Sequence, residues 1–400
     1  MLTKEENERL TQVGPGTPVG NLLRRYWHPV GTVADLNRDP VQPAKLLGED
    51  LVLFRDESGR LGLIGNRCAH RGISLAYGIP QENGLRCAYH GWTYNSQGQV
   101  VDMPFEPTCL PLKIAGYPVE ELGGVIWAYM GPEPAPLLPR WDVLVREDFN
   151  KEIRITPLPC SWLQCMDNSL DPTHFEHLHG QYGNYMMKKL GKPPMLNPAR
   201  HVKIDFDVWE YGIYKRRLLE GRPEDDPDWT TGHPILFPSI LAQGSPDRGS
   251  FQLRTPMDDT HTYHLCVNGW RPGPGEELTK EIPVTHDPLT YDDLGRVFAA
   301  HIVRQDEMAW VGQGAISDRT TEHLVTSDKG ILLYRKLLLE NIEKVERGED
   351  PMGVIRDPAK NFPMISIARG SQYAAFKAGV DDTNYGGLRE DAASGSITVR

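Results

Sequence analysis

The chain predicts an α+β fold, an all-β segment followed by a mixed segment built on an antiparallel sheet. Three observations lead there. From Trp27 to about Pro134 the sequence reads as short strands broken by turn residues. The stretch Gly131-Pro132-Glu133-Pro134-Ala135-Pro136, with Leu138-Pro139 close behind, forbids a continuing strand or helix. Beyond it, strand alternation is interleaved with helical periodicity.

In the first segment, Lys45 to Leu47 and Asp50 to Arg55 read as strands, followed by the turn Asp56-Glu57-Ser58-Gly59 and by Arg60 to Gly65. In the second, a helical segment runs from about Cys165 to His177, and strands cover Val202 to Trp209, Ile213 to Leu218 and Thr260 to Gly269. A long helix is expected from about Thr290 to Val311 and another from Gly330 to Arg347. The predicted division is residues 27–134 as one domain, with 1–26 and 135–400 as the other. The tail after about Asp381, rich in Gly, Ser and Asp, is expected to be mobile.

The longest apolar runs, such as Gly123 to Met130, fall far short of the roughly 20 residues that span a bilayer. The first ten residues are polar and mixed in charge, without an apolar export core, so the expectation is a soluble, cytoplasmic protein with no membrane partner. A formal charge of −11 argues against nucleic acid, which calls for a clustered basic face. The 6 cysteines are irregularly spaced and suit a reducing compartment better than a disulfide framework. Cys109, Cys160, Cys165 and Cys266 read as small buried apolar residues.

Cys68-Ala69-His70-Arg71-Gly72 and Cys87-Ala88-Tyr89-His90-Gly91-Trp92 place one Cys and one His on each of two loops. A structural zinc also uses closely spaced Cys and His pairs, and four unrelated buried residues are the blandest reading. The Cys-x-His and Cys-x-x-His order in a β-rich region resembles a Rieske [2Fe-2S] centre, in which two imidazoles replace two thiolates on one iron and raise its potential. Gly65, Gly72 and Gly91 are expected to let backbone N–H groups approach the sulfurs. Neither loop has the second Cys that respiratory Rieske proteins join in a disulfide, so the resemblance is to Rieske ferredoxins and oxygenases.

Further on, Asn168-Ser169-Leu170-Asp171-Pro172-Thr173-His174-Phe175-Glu176-His177-Leu178-His179-Gly180 crowds three His with two acids. Non-haem iron that activates O₂ commonly takes two His and one carboxylate. On an α-helix His174 pairs with His177, since residues five apart diverge by about 140°. The segment resembles, however, the Asn-x-x-Asp-x-x-His-x-x-x-x-His motif of Rieske non-haem iron oxygenases, which selects His174 and His179 and leaves His177 as a neighbouring pocket residue. A helix ending before His179, with Gly180 as terminator, reconciles the two readings. Gln305-Asp306-Glu307 resembles the family's late Gln-Asp segment and names Asp306 as third ligand, Glu307 being the runner-up.

With both motifs in order, nearly the whole chain resembles the α subunit of a Rieske oxygenase of the phthalate dioxygenase-like group built from α subunits alone. The runs Val13 to Pro18, Leu22 to Trp27 and Asp318 to Leu324 carry that likeness, and Trp162 to Asp171 is similar to an O-demethylase branch. The resemblance implies a β-sandwich Rieske domain and a helix-grip (START/Bet v 1-like) catalytic domain. It also implies a [2Fe-2S] cluster, a mononuclear Fe(II), and a homotrimer or hexamer in which one subunit's cluster serves its neighbour's iron. Asp171 then matches the bridging acid, with Asn168 in the same motif, although Asp171 before Pro172 can equally cap a turn. The implied electron donor is a separate flavin-containing, NAD(P)H-dependent reductase, with or without a ferredoxin. Gly14-x-Gly16 and Gly314-Ala315 lack the context of a dinucleotide site.

The implied substrate is an aromatic carboxylate, which a basic residue in the pocket would recognise. Lys215, Arg216, Arg217 and Arg254 are the candidates; strand alternation sends Arg216 to one face and Lys215 and Arg217 to the other, and all four can also be surface charges. The expected reaction is O-demethylation of a methoxylated aromatic acid, with ring cis-dihydroxylation as the alternative. An electron carrier without oxygenase activity is the rival of another class.

Overall fold

The computed structural model describes residues 1–194 and 199–370; the tail after Asp381 lies outside the described residues. Three small antiparallel sheets build the first segment. Trp27–Thr32 pairs with Val125–Tyr129, which pairs in turn with Val119–Leu122. Val41–Leu46, Glu49–Arg55, Leu61–Gly65 and Gly116–Tyr117 form the second sheet, and Ile79–Gln81, Gly84–Arg86, Thr93–Tyr94 and Val100–Asp102 the third. The strands at Glu49–Arg55 and Leu61–Gly65 lie within a residue of where alternation predicts them.

An eight-stranded sheet underlies the second segment. Its spatial order is His201–Trp209, Gly212–Leu219, His233–Leu236, Ile240–Ser245, Arg248–Asp258, His261–Trp270, Asn150–Leu158 and Val284–His286. Every pair is antiparallel except the last. Helix Lys329–Glu346 buries Ile331, Tyr334, Leu337, Leu338, Ile342 and Val345, the stripe that a 3.6-residue period puts on one face. That stripe packs in one core with Ile213, Ile235 and Leu241 of the sheet and Trp162, Leu163 and Met166 of helix Trp162–Ser169. Each such side chain contributes roughly 1.5–3 kcal/mol of apolar burial. Among the described residues no helix is long and apolar enough to cross a membrane.

Two helix expectations need correction. The helix expected from Thr290 begins only at Ile302. Before it, Asp292 Oδ1 accepts from the amides of Leu294 and Arg296, and Gly295 turns the chain at φ 71°, so Tyr291 pairs with Val297 in a tight hairpin. The helix expected over Cys165 to His177 splits. Trp162–Ser169 stops ahead of Pro172, and a π-helix, Phe175–Tyr182, runs on into helix Gly183–Lys189. Gly180 therefore lies within a helix instead of ending one. Cys109 is exposed, against expectation, while Cys160, Cys165 and Cys266 are buried as expected.

Candidate cluster edge and metal centre

Each Cys–His loop has the same local logic. Cys68 and Cys87 are buried in the apolar core of the β segment, whereas His70 and His90 are exposed. Gly72 and Gly91 adopt φ of 74° and 79°, and their amides donate back to the carbonyls of Cys68 and Cys87 at 2.8 and 3.0 Å. The glycines thus tighten the loops instead of aiming N–H groups at sulfur, and the Gly65 amide is committed to Ala115 O. The amides that reach the Cys87 sulfur are those of Tyr89 and His90. On the other thiol, the buried Tyr94 hydroxyl lies 3.1 Å from Cys68 Sγ and accepts from the Ala69 amide.

The rings of His70 and His90 stand 4.5 Å apart, with Trp92 stacked on His70 at 4.7 Å. Among the described residues, these four Cys and His donors do not close around one ion: the group whose donor atoms all lie within 4.8 Å is a different one. Two thiols held inward and two imidazoles held outward suit a two-iron cluster and not a single zinc.

That different group is His174, His179 and Asp306. His174 Nε2 and His179 Nε2 lie 3.5 and 3.2 Å from Asp306 Oδ1. The π-helix explains the pair: its i→i+5 hydrogen bonds widen the turn until residues five apart share a side, and the two rings come to 5.0 Å. Gln305 Oε1 lies 3.0 Å from His179 Nδ1, which assigns the ring proton to Nδ1 and leaves a lone pair on Nε2. Asp306 Oδ1 is buried with no hydrogen-bond partner. Burial alone would raise the Asp306 carboxyl, but His179 and His174 outweigh it and hold it below its ordinary range. Two imidazole nitrogens facing one carboxylate oxygen form a donor set that fits a divalent cation.

Asp171 Oδ2 lies 3.7 Å from His174 Nδ1, and its Oδ1 accepts from the Thr173 amide and hydroxyl at 2.7 Å, so the carboxylate both caps the turn and faces the imidazole. Asn168 sits one turn earlier, where its carbonyl accepts from the Asp171 amide. His177 is not a pocket residue: its side chain is 62 % exposed and beside Glu176. Glu307 points the other way from Asp306, into His264 Nδ1 at 3.0 Å, Arg304 at 2.9 Å and Arg154 at 3.2 Å. Burial would raise its carboxyl, but His264, Arg154 and Arg304 hold it down to about 2.

A family model described as Rieske [2Fe-2S] domain matches residues 26–118, and one described as LigXa C-terminal domain like matches residues 298–376. Over 383 residues the chain is 43% identical to the 5,5'-dehydrodivanillate O-demethylase oxygenase subunit of Sphingobium sp. strain SYK-6, covering 92% of this chain and 88% of that one. The chain belongs to the Rieske non-haem iron oxygenases. It is 34% identical over 392 residues to the phenoxybenzoate dioxygenase subunit alpha of Ectopseudomonas oleovorans, with 91% of each chain covered. The oxygenase in a reduced oxygenase–ferredoxin complex of carbazole 1,9a-dioxygenase shares the fold, with TM-score 0.62 at 21% identity over 91% of this chain and 98% of that one. As a Rieske oxygenase component the chain is an oxidoreductase whose cofactors are a [2Fe-2S] cluster and a mononuclear iron.

Of the basic candidates, Lys215, Arg217 and Arg254 are buried. Arg216 is not in the pocket: it turns to the opposite face, pairs with Asp207 at 2.6 Å and packs over Trp229. Alternation gives this reason directly. Sequence reasoning did not reach Tyr94 or the ring-orienting role of Gln305. A Tyr two residues after Trp92 carries no ligand signature, and only the fold brings it to Cys68.

Proposed function

We propose that this Rieske oxygenase O-demethylates a methoxylated aromatic carboxylate, and that His174, His179 and Asp306 hold its iron. The observation that carries the reading is the meeting of His174 Nε2, His179 Nε2 and Asp306 Oδ1 around one unpartnered, buried oxygen. The substrate class is supported by the 43% identical relative, named for 5,5'-dehydrodivanillate O-demethylation. Cys68 and Cys87 would ligate one cluster iron, and His70 and His90 the other. We assign residues 27–134 to the cluster-bearing unit and 1–26 with 135–400 to the catalytic unit; the match over 26–118 and the three small sheets support that division.

Bound at these residues, the cluster supplies single electrons and the iron supplies O₂ activation. The protein's part is positional. Gln305 fixes the His179 tautomer, and Asp171 sets its charge 3.7 Å from His174 Nδ1. Asp171 keeps 24% of its side chain exposed, and His70 and His90 are exposed too. These features support a head-to-tail homotrimer, or stacked hexamer, in which Asp171 bridges to a neighbouring subunit's cluster edge. A flavin-containing reductase, with or without a ferredoxin, would supply electrons; the solved carbazole relative is itself a complex with ferredoxin.

In balance, one O₂, two electrons and two protons convert an aryl methyl ether to a phenol, formaldehyde and water. The test supplies the iron-loaded protein with a reductase, NADH and a panel of methoxylated and unsubstituted aromatic acids. Formaldehyde released in step with O₂ uptake supports the proposal. A cis-diol product would instead select ring dioxygenation, the reading favoured by the 34% identical phenoxybenzoate dioxygenase relative. No substrate-dependent O₂ uptake would leave an electron carrier.

A further inference from the structure

Where Asn150–Leu158, His261–Trp270 and Arg248–Asp258 run side by side, the two faces of the sheet differ in chemistry. Leu265 and Val267 turn one way, into an apolar core. His264 and Cys266 turn the other way. The register sets Thr156 and Arg254 beside His264, and Arg154 and Gln252 beside Cys266, all on that same face. Cys266, read from the sequence as a small apolar residue, is thus set among charges and hydrogen-bonding groups.

Cys266 Sγ lies 3.3 Å from His264 Nε2, and His264 Nδ1 lies 3.0 Å from Glu307 Oε1. Each of the three residues is at most 4% exposed. Thiol, imidazole and carboxylate in this order make a sulfur nucleophilic: the carboxylate holds the ring, and the ring takes the thiol's proton. Burial alone would raise the Cys266 thiol, but His264, and after it Arg154 and Arg254, outweigh burial and lower it. Burial would lower His264, and Cys266 and Glu307 raise it. The pair therefore rests as thiolate and imidazolium.

Two groups in the row of His264 point to a small polar ligand. Thr156 Oγ1 and Arg254 Nε have no hydrogen-bond partner among the described residues, and both residues are at most 1% exposed. Unpartnered polar atoms are costly to bury, so this face suits a molecule that both donates and accepts hydrogen bonds and is small enough to enter a packed interior. Hydrogen peroxide has these properties, and thiolates are its usual targets. It is also what O₂ becomes on taking two electrons and two protons without oxygenating a substrate. Glu307 adjoins Asp306 on helix Ile302–Val311, so the thiolate is linked through two hydrogen bonds to the helix that bears the proposed iron ligand.

We propose that Cys266 is a peroxide-reactive thiolate that is oxidised to a sulfenic acid, with His264 as the acid that completes the step. The thiolate attacks one peroxide oxygen, an S–O bond forms and the O–O bond breaks. Sulfur gives up two electrons and the peroxide takes them. The leaving hydroxide collects the proton of His264 Nε2 and departs as water. Thiolate, imidazolium and H₂O₂ thus become sulfenic acid, imidazole and water. Glu307 is a positioning residue that holds the ring.

The experiment uses the full protein with its cluster and mononuclear iron both oxidised. H₂O₂ is added at neutral pH and catalase stops the reaction at intervals. The protein is then unfolded in urea with dimedone, which captures sulfenic acids, and N-ethylmaleimide, which blocks thiols. Peptide mass spectrometry scores every cysteine in the same sample. Buried Cys266 should acquire the dimedone label about 10-fold faster than exposed Cys109, because a thiol without an activating partner is only a few per cent ionised near pH 7. In His264→Gln the rate at Cys266 should fall by about 10-fold while that at Cys109 is unchanged. The comparison between cysteines of the wild type needs no variant, and it decides the matter even if His264→Gln fails to fold.

Cys109 labelled first, or Cys266 left as a thiol, overturns the proposal. So does an unchanged rate at Cys266 in folded His264→Gln, which would remove the imidazole from the step. Label that persists at Cys266 after the mononuclear iron is stripped with a chelator supports an activated thiolate. Label that disappears with that iron overturns it, since damage made at the metal would then explain the oxidation. Peroxide is supplied from outside, so the outcome does not depend on which product the O₂ reaction gives.

Discussion

His174 and His179, five residues apart in the chain, hold their rings 5.0 Å apart because the backbone between them is π-helical. An α-helix would splay them by about 140° and offer His177 instead. The π-turn reverses that choice, leaving His177 in solvent and His179 beside Asp306 at 3.2 Å.

Substitution should follow this geometry. His179→Ala is expected to lower iron affinity at the mononuclear site at least about 10- to 100-fold while the cluster's visible spectrum persists. His177→Ala should keep its iron and turn over within about 2-fold of wild type, as surface changes usually do. Iron analysis after dialysis separates the two. Iron lost from His177→Ala and kept by His179→Ala would reassign the ligand.

Asp171 should matter for electron delivery and not for iron retention. With its Oδ2 3.7 Å from His174 Nδ1, Asp171→Asn keeps the shape but not the charge. Single-turnover reoxidation of the reduced cluster should slow by about 10- to 100-fold with iron content unchanged. Reoxidation at the wild-type rate would remove Asp171 from the electron path.

Tyr94 is expected to tune the cluster. With its hydroxyl 3.1 Å from Cys68 Sγ, it would stabilise the extra negative charge on a ligating sulfur after reduction. Tyr94→Phe should therefore lower the midpoint potential by on the order of 50 mV, the worth of one hydrogen bond in a one-electron couple. Protein-film voltammetry reads this directly, and an unmoved potential would refute the assignment.

Stability should fall in mild acid. His28 is buried against Leu23 O at 2.8 Å, and burial, opposed by that hydrogen bond, brings its pKa from 6.5 down to about 4. The unfolded state takes the proton first, so stability present above about 6.5 is lost as pH falls toward 4, by about 2 kcal/mol between pH 7 and 5. His201 and His301, likewise lowered to about 4 with burial as the largest cause, add to the slope. Urea midpoints of His28→Gln at the two pH values should differ less than those of the wild type; equal differences would exclude His28.

The candidate ligands were legible to different degrees: Cys68, His70, Cys87 and His90 stand out as two closely spaced pairs, whereas helical spacing favours His177, and His179 and Asp306 are picked out by resemblance to a known motif. Alternation separates Arg216 from Lys215 and Arg217 in the sequence, but which of the two faces is buried is decided by the packing of the sheet. What escaped depends on distant partners. A π-turn has no residue signature, and the late start of helix Ile302–Val311 is set by the Asp292–Gly295 hairpin ahead of it. The pairing of Arg217 needs Asp228 brought across from residues 227–230.

Glu307 has a consequence for the neighbouring oxygen-binding chemistry. Two acids adjoin on one helix, and either could have swung toward a divalent cation. His264, Arg154 and Arg304 together detain the second, so Asp306 is the acid of this helix that would face a cation held with His174 and His179. Loss of any of the three restraining groups would loosen Glu307 and let a second carboxylate compete for the same cation.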